Sequence, residues 1–507
     1  MIAKTFTFPR QLVSLSYSIQ VNMPLTASER RLSAARRILH ALRPTLKAYL
    51  LGYIAWIAPR LPQLLQVLRS NNASIGKRLV YIRRVLYKGT GLSGLSTACA
   101  AIIAGSTIIP ASISRLLQTA TSSKIRTEDL ASKINIVSCF FCAWFAFGLL
   151  NKDQDRTERH ALATRPLQQS SSSVSLARPR HIPEQQALSG KTIELTSFAF
   201  CRAVDVIIVQ SWRRISPLWQ HNSTISKLAR LVQKLADPYV FAGSAAVIMW
   251  SWFYAPERLP VAYKKWIAQM ADIDQALIET LRLCRQGEFV YGEDTGKTGL
   301  LRPLCRRLSL PEEWADPRLT VPIPCELYHC GHGRSCENHA IQRFLRSYVL
   351  AVKVYMPLQL IGLVRRRPDM QVVRKALRDL ARSSTFLATF VTSFYYTVCL
   401  ARTRLGPKLF SRSVVTPQMW DAGLCVFAGC LTCGWSVLLE QATRRQELSL
   451  FVAARALSTL LPRFYDRAHQ RREQLVFASC VTVVMTAAKN GGPVRGAFGR
   501  LLKSVMS

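Results

Sequence analysis

Acidic residues are scarce in this chain: 29 aspartates and glutamates stand against 68 lysines and arginines in 507 residues, a formal net charge of +39. Several stretches lack charge of either sign. No charged residue occurs from Gly89 to Ser114, Ile134 to Asn151, Pro238 to Pro256, Ser383 to Ala401 or Ala422 to Leu439. Each run is close to the roughly 18 to 20 residues a helix needs to cross a ~30 Å hydrocarbon layer. Five such runs in one chain exclude an ordinary soluble globule and predict an all-α, polytopic membrane protein. Catalytic motifs are missing as well. The chain has no phosphate-cradling glycine loop, no Gly-x-Ser-x-Gly elbow and no His-Glu-x-x-His helix, and Gly296, Lys297 and Thr298 lack the upstream glycine of a P-loop. No enzymatic activity is therefore expected. RNA-binding aromatic motifs are absent too. The excess base sits in short connections, as at Arg365 to Arg367, Arg444 with Arg445, and Arg471 with Arg472. There it faces anionic lipid headgroups of the bilayer, and no nucleic acid is expected as partner. The fourteen cysteines lack the even spacing of a secreted disulfide framework, and most fall in apolar runs where a thiol acts as a small hydrophobe.

What the chain does have is a duplication. Glu194, Leu195, Phe198, Arg202 and Ala203 are matched in spacing by Glu447, Leu448, Phe451, Arg455 and Ala456. Ahead of these, Leu46, Tyr49 and Leu51 are matched by Leu345, Tyr348 and Leu350. The order of elements is thus the same in both halves. Related halves packed about a shared interface are a common plan in polytopic membrane proteins. Aligning the echoes gives two bundles of four to five helices, at 45–256 and 344–490, with a basic arm at 1–44 and a basic tail at 491–507. Within the first bundle the Ser-, Gln- and Pro-rich stretch 152–191 reads as a disordered loop. The first pair of elements, Leu46 to Leu65 and Leu345 to Val364, carries Pro59 or Pro357 and a basic residue, and reads as tilted or interfacial. Small residues at Gly94, Ala98, Ala101 and Gly105, and at Cys425, Gly429 and Cys433, offer faces on which helices approach closely.

The linker 257–343 is different in kind, because its twelve acids balance its twelve bases. It reads as the one extramembrane domain. Ala268 to Arg285 reads as an amphipathic helix, and Pro303 to Pro324 as extended chain leading to a cluster at 325–339. That cluster holds Cys325, His329, Cys330, His332, Cys336 and His339. Thiolates and imidazoles are the ligands tetrahedral zinc takes, yet the spacing matches no standard paired-ligand pattern. Zinc, a disulfide such as Cys325 with Cys336, and a reduced loop stay open as readings, and no other cofactor is expected. A second candidate is intramembrane charge. Arg202 and Arg455 lie in apolar helices, where an arginine needs a partner or a wet cavity. Asp205 stands one turn from Arg202, and Ser458 takes its place beside Arg455, which looks instead to Glu440 or Glu447; Glu194 completes the set.

From the cluster onward the chain resembles the transmembrane protein 135 family, also called peroxisomal membrane protein 52. The resemblance rests on Cys325 to Cys336, on Leu345 to Pro357 with Leu358 to Leu363, and on Ser384 to Leu387, and it continues through Arg455. A fainter likeness surrounds Tyr87 to Thr90. The resemblance implies a multi-pass protein of peroxisomal or mitochondrial membranes, concerned with membrane dynamics and lipid homeostasis and distantly similar to the four-helix inner-membrane translocase family. A second copy or other organelle membrane proteins are the protein partners it suggests. The alternatives are a transporter or translocation pore between the halves and, less favoured, a zinc-dependent membrane enzyme.

Overall fold

A computed structural model describes residues 27–69, 75–92, 94–120, 127–152, 188–190, 192–219, 223–331, 333–364, 369–411, 413–462 and 465–507. Most of the arm 1–44, nearly all of the loop 152–191, and Arg365 to Arg367 lie outside them. Twelve helices carry the fold, six from each half. From the first come α1 (Ala27–Ile57), α2 (Leu95–Ala120), α3 (Thr127–Lys152), α4 (Ile193–Ile215), α5 (Ser223–Tyr254) and α6 (Val261–Ala271). From the second come α7 (Cys336–Val364), α8 (Met370–Cys399), α9 (Cys425–Cys433), α10 (Ala442–Leu460), α11 (Gln470–Lys489) and α12 (Gly496–Met506). Further helices, among them Ile75–Thr90 and Gln275–Gln286, fill the connections, and the β-structure among the described residues is a two-residue antiparallel ladder, Leu188–Ser189 with Tyr465–Asp466. The protein is thus an all-α, multi-pass membrane protein.

Among the described residues, five segments are long and apolar enough to cross a membrane: Leu95–Leu116, Leu130–Lys152, Cys336–Val364, Met370–Arg404 and Pro417–Leu439. Four of the five charge-free runs fall in them. The run 238–256 does not, because its serine, glycine, tryptophan and tyrosine content lowers its hydropathy, although it forms the second half of α5. Cys336–Val364, read from sequence as tilted or interfacial over its Leu345 to Val364 part, is one continuous helix that accommodates Pro357. That helix leaves Leu345, Val349, Leu358, Ile361 and Val364 exposed, a set of apolar side chains that lipid, not water, would cover.

Neighbouring helices in sequence are not always neighbours in space. Helix α2 packs on α1 and α3, and α8 on α7 and α9, as consecutive hairpins should. The fifth and sixth helices break this order. Helix α5 leaves its own half and packs on α9 and α10, while α11 packs on α3 and α4. Side-chain bonds fix the exchange. Gln474 of α11 donates to the Trp144 carbonyl of α3 (2.8 Å), and Lys489 donates to the Ser106 carbonyl of α2 (2.8 Å) and to Asn135 of α3 (2.9 Å). On the other side Ser449 of α10 donates to the Asp237 carbonyl of α5 (2.7 Å). The sixth helices travel with the fifth. Arg343 of α7 donates to the last carbonyls of α6, at Ala271 (3.0 Å) and Asp272 (2.9 Å). Lys47 of α1 likewise donates to Ser504 of α12 (2.9 Å). Each bundle therefore holds four helices of one half and two of the other.

Two linker readings are corrected by the geometry. The amphipathic stretch 268–285 is two helices, because Asp272 adopts a left-handed conformation (φ 48°) that ends α6, and Asp274 then caps Gln275–Gln286 by accepting from the Ala276 amide (2.8 Å). The proline-rich stretch 303–324 is coiled, not extended, with helical turns at Arg302–Arg307 and Glu312–Ala315. Nor does the linker form a core of its own. Leu277, Leu281, Phe289, Leu301 and Leu327 share one buried cluster with Trp252 and Phe253 of α5, Phe394 of α8 and Cys430 of α9. Finally, the segment read as a basic tail contains α12, whose Leu502 and Val505 are buried.

Candidate functional site

The repeated Glu-to-Arg segment lies where the halves meet. Helices α4 and α10 pack together, and the echoed charges pair crosswise: Arg202 with Glu447 (3.2 Å), and Arg455 with Glu194. As one helix ascends in number its partner descends, so the equivalents run antiparallel about a two-fold axis between them. Arg202 is buried, with Phe198 and Phe498 rings on either side (5.2 and 5.1 Å), whereas the side chain of Arg455 remains 30% exposed. The local partners expected from sequence are not the ones used. Asp205 binds Arg495 (3.0 Å), the residue just before α12, and Arg495 also reaches Asp237 (3.4 Å). Ser458 donates to the Arg455 carbonyl in its own helix (2.9 Å). Glu447, besides holding Arg202, accepts from the Ala497 amide at the positive end of α12. That approach requires glycine at 496, where φ is 81° and a Cβ would lie 2.0 Å from the Glu447 carboxylate.

Beside this axis each bundle holds a half-open apolar cavity, of about 190 Å³ in the second and about 240 Å³ in the first. The two are equivalents, and their linings match helix by helix. Ala98, Cys99, Ile102 and Ile103 of α2 correspond to Phe386, Leu387, Phe390 and Val391 of α8. Phe477, Val481, Val484 and Met485 of α11 correspond to Phe241, Ala245, Ile248 and Met249 of α5. Leu195, Phe198 and Ala199 of α4 repeat as Leu448, Phe451 and Val452 of α10. The sixth helices cover them with Phe498, Leu501, Leu502 and Val505 on one side, and Tyr263, Trp266, Ile267 and Met270 on the other. Sequence reading missed this sixth pair because only the spacing of its apolar residues repeats, with no residue identical between the two sets.

The cysteine cluster closes over the end of α8. Cys325, His329 and Cys336 place their ligand atoms within 4.8 Å of one another. A fourth group joins them from α8: the Cys399 thiol lies 3.6 Å from His329 Nε2 and is hydrogen-bonded to Cys336. Two expected members do not take part. Cys330 turns away in a left-handed conformation (φ 51°) with its thiol 3.8 Å from the Tyr328 carbonyl, and His339 stacks on the His329 ring at 4.6 Å between centroids. His332 lies outside the described residues. The thiols at 325 and 336 stand free. Burial pushes the Cys325 thiol up, and the Arg402 guanidinium opposes that shift.

Behind the cluster is a buried charge pair that sequence reading did not single out. Arg402 binds Asp421 through two bonds (2.5 and 2.8 Å), with side chains 2% and 0% exposed. Tyr328 donates to the same carboxylate (2.9 Å), as does Tyr291, while Arg402 also donates to the Ile323 carbonyl (2.7 Å). Both charges sit in π-helical turns, Leu400–Arg404 and Trp420–Leu424, where the interrupted ladder lets a side chain enter. Arg402 and Asp421 each bound a charge-free run, and that position at a run's edge was the available signal.

Residues 324–463 match the family model for the N-terminal cysteine-rich region of transmembrane protein 135. Over those residues the chain is similar to the transmembrane protein 135 family. The match takes in the cluster, α7, α8, α9 and α10, and here the region called N-terminal begins within the linker, after α1 to α6. No curated protein and no solved structure matches the chain. The matches do not show the likeness to the inner-membrane translocases.

Proposed function

We propose that the protein is a non-enzymatic membrane protein of peroxisomes or mitochondria that supports membrane dynamics and lipid homeostasis by holding acyl chains in its two equivalent cavities. The observation that carries the reading is the twinned apolar lining. A dry apolar cavity of about 150 Å³ already accepts a benzene-sized guest, so each cavity has room for a segment of lipid tail. Both are walled by helices of membrane-spanning length, from which a tail would arrive. The family match supports the organelle. A transporter or pore between the halves would need Arg202 and Arg455 to line one wet passage, and their pairing with Glu447 and Glu194 favours the non-conducting reading.

The test is lipid analysis of the full chain purified in mild detergent, beside Ile248→Trp and Val484→Trp, which fill one cavity each. The wild type retains acyl lipid, each variant retains about half as much, and the double variant releases it. A wild type free of acyl lipid, or variants that retain as much as the wild type, contradicts the reading. A fluorescently tagged chain that localises to neither peroxisomes nor mitochondria removes the organelle assignment.

A further inference from the structure

Three groups at the end of α8, Cys325, His329 and Cys336, place their ligand atoms within 4.8 Å of one another, and Cys399 adjoins them 3.6 Å from His329 Nε2, which completes the composition of a closed metal site. We propose that Cys325, His329, Cys336 and Cys399 bind one zinc ion, and that the ion pins the linker to the α7–α8 hairpin. Structural zinc takes four thiolate or imidazole ligands in a tetrahedron, with Zn–S about 2.3 Å and Zn–N about 2.0 Å. Those lengths put neighbouring sulfur and nitrogen about 3.5 Å apart, and the Cys399 to His329 separation is 3.6 Å. Contacts run on around the set, from Cys399 to Cys336 and from Cys336 to Cys325. His329 is already oriented as a ligand. Its Nδ1 lies 2.7 Å from the Gly333 carbonyl, which fixes that nitrogen as the donor and leaves the Nε2 lone pair for the metal. The ring is fully buried, as are Cys336 and Cys399.

Three thiolates and a dication leave one net negative charge, and the Arg402 guanidinium, itself paired with Asp421, lies 3.9 Å from Cys325 Sγ. All four positions are filled by protein, which makes the site structural and leaves no open position for water or substrate. The ligands come from three places: Cys325 and His329 from the linker, Cys336 from the first residue of α7, and Cys399 from the last of α8. A single ion thereby ties together a junction that the chain itself leaves open over some sixty residues.

Metal analysis of the full chain, purified without chelator, tests this. The wild type and Cys330→Ser carry about one zinc per chain, while Cys399→Ser and Cys325→Ser lose at least about tenfold in zinc retention. Because misfolding of a ligand variant also lowers its zinc content, cobalt exchange into the wild type gives a second readout. Cobalt there shows the intense visible bands of a tetrahedral site and a thiolate charge-transfer band, both missing from Cys399→Ser. Zinc absent from the wild type, zinc retained in Cys399→Ser, octahedral cobalt bands, or a disulfide joining any two of the three cysteines in freshly purified protein overturns the proposal.

Discussion

Arg202 and Arg455 are equivalent in sequence but not in surroundings, and the difference sets what each is worth. Arg202 is sealed between two phenylalanine rings, whereas Glu447 keeps 29% of its side chain exposed and the Ala497 amide as a second donor, so removing Arg202 costs less than breaking a fully buried pair. Breaking a buried pair on one side typically costs about 3 kcal/mol or more. Arg455 and Glu194 keep 30% and 39% of their side chains exposed, and a pair of that kind is worth ~1 kcal/mol or less. Arg202→Met should therefore lower the unfolding temperature in detergent clearly more than Arg455→Met, and the reversal Arg202→Glu with Glu447→Arg should recover part of the loss. Equal effects from the two single variants would show that burial does not separate them. The sequence announced that both arginines needed partners, since an arginine in an apolar helix rarely goes without. It could not name the partners, because each lies in the opposite half and only the packing of α4 on α10 brings them together. The same limit hid Cys399, which sits in a charge-free run with no other ligand-type residue nearby in sequence.

At the scale of elements, the small-residue faces foretold where helices touch. Gly105 rests on Cys142 of α3, and Gly429 on Phe394 of α8, each at a distance that leaves no room for a Cβ. One such contact joins the halves: a Cβ at Gly434 would lie 2.5 Å from Ala242 Cα of α5. Gly243, one residue further along α5, faces open space. Gly434→Leu should push α5 off the second bundle and reduce the yield of monodisperse protein several-fold, while Gly243→Leu should purify normally. If size-exclusion profiles of the two are alike, α5 does not rest where described. Helix positions were legible because charge-free runs and their bounding residues are a local signal, and the five elements per half emerged from them. The sixth pair, α6 and α12, was not, since short amphipathic helices without a shared residue leave no echo.

On the scale of the whole molecule, duplication has been turned into interlocking. Antiparallel equivalents at α4 and α10 are the mark of inverted repeats, and the exchange of the fifth and sixth helices means that neither bundle is complete from one half. Each cavity, too, needs both halves to close it. Sequence comparison within the chain revealed the two copies but assigned α5 and α11 to their own bundles, because chain order is the default guide to neighbours and nothing local marks a crossing. The most direct measurement of the exchange is photo-cross-linking from a benzophenone amino acid at Gln474 on α11, in membranes, with the adduct peptide mapped by mass spectrometry. The account predicts intramolecular adducts on α3, around Trp144 and Gly148. Adducts on α9 or α10 in its own half, with none on α3, would contradict it.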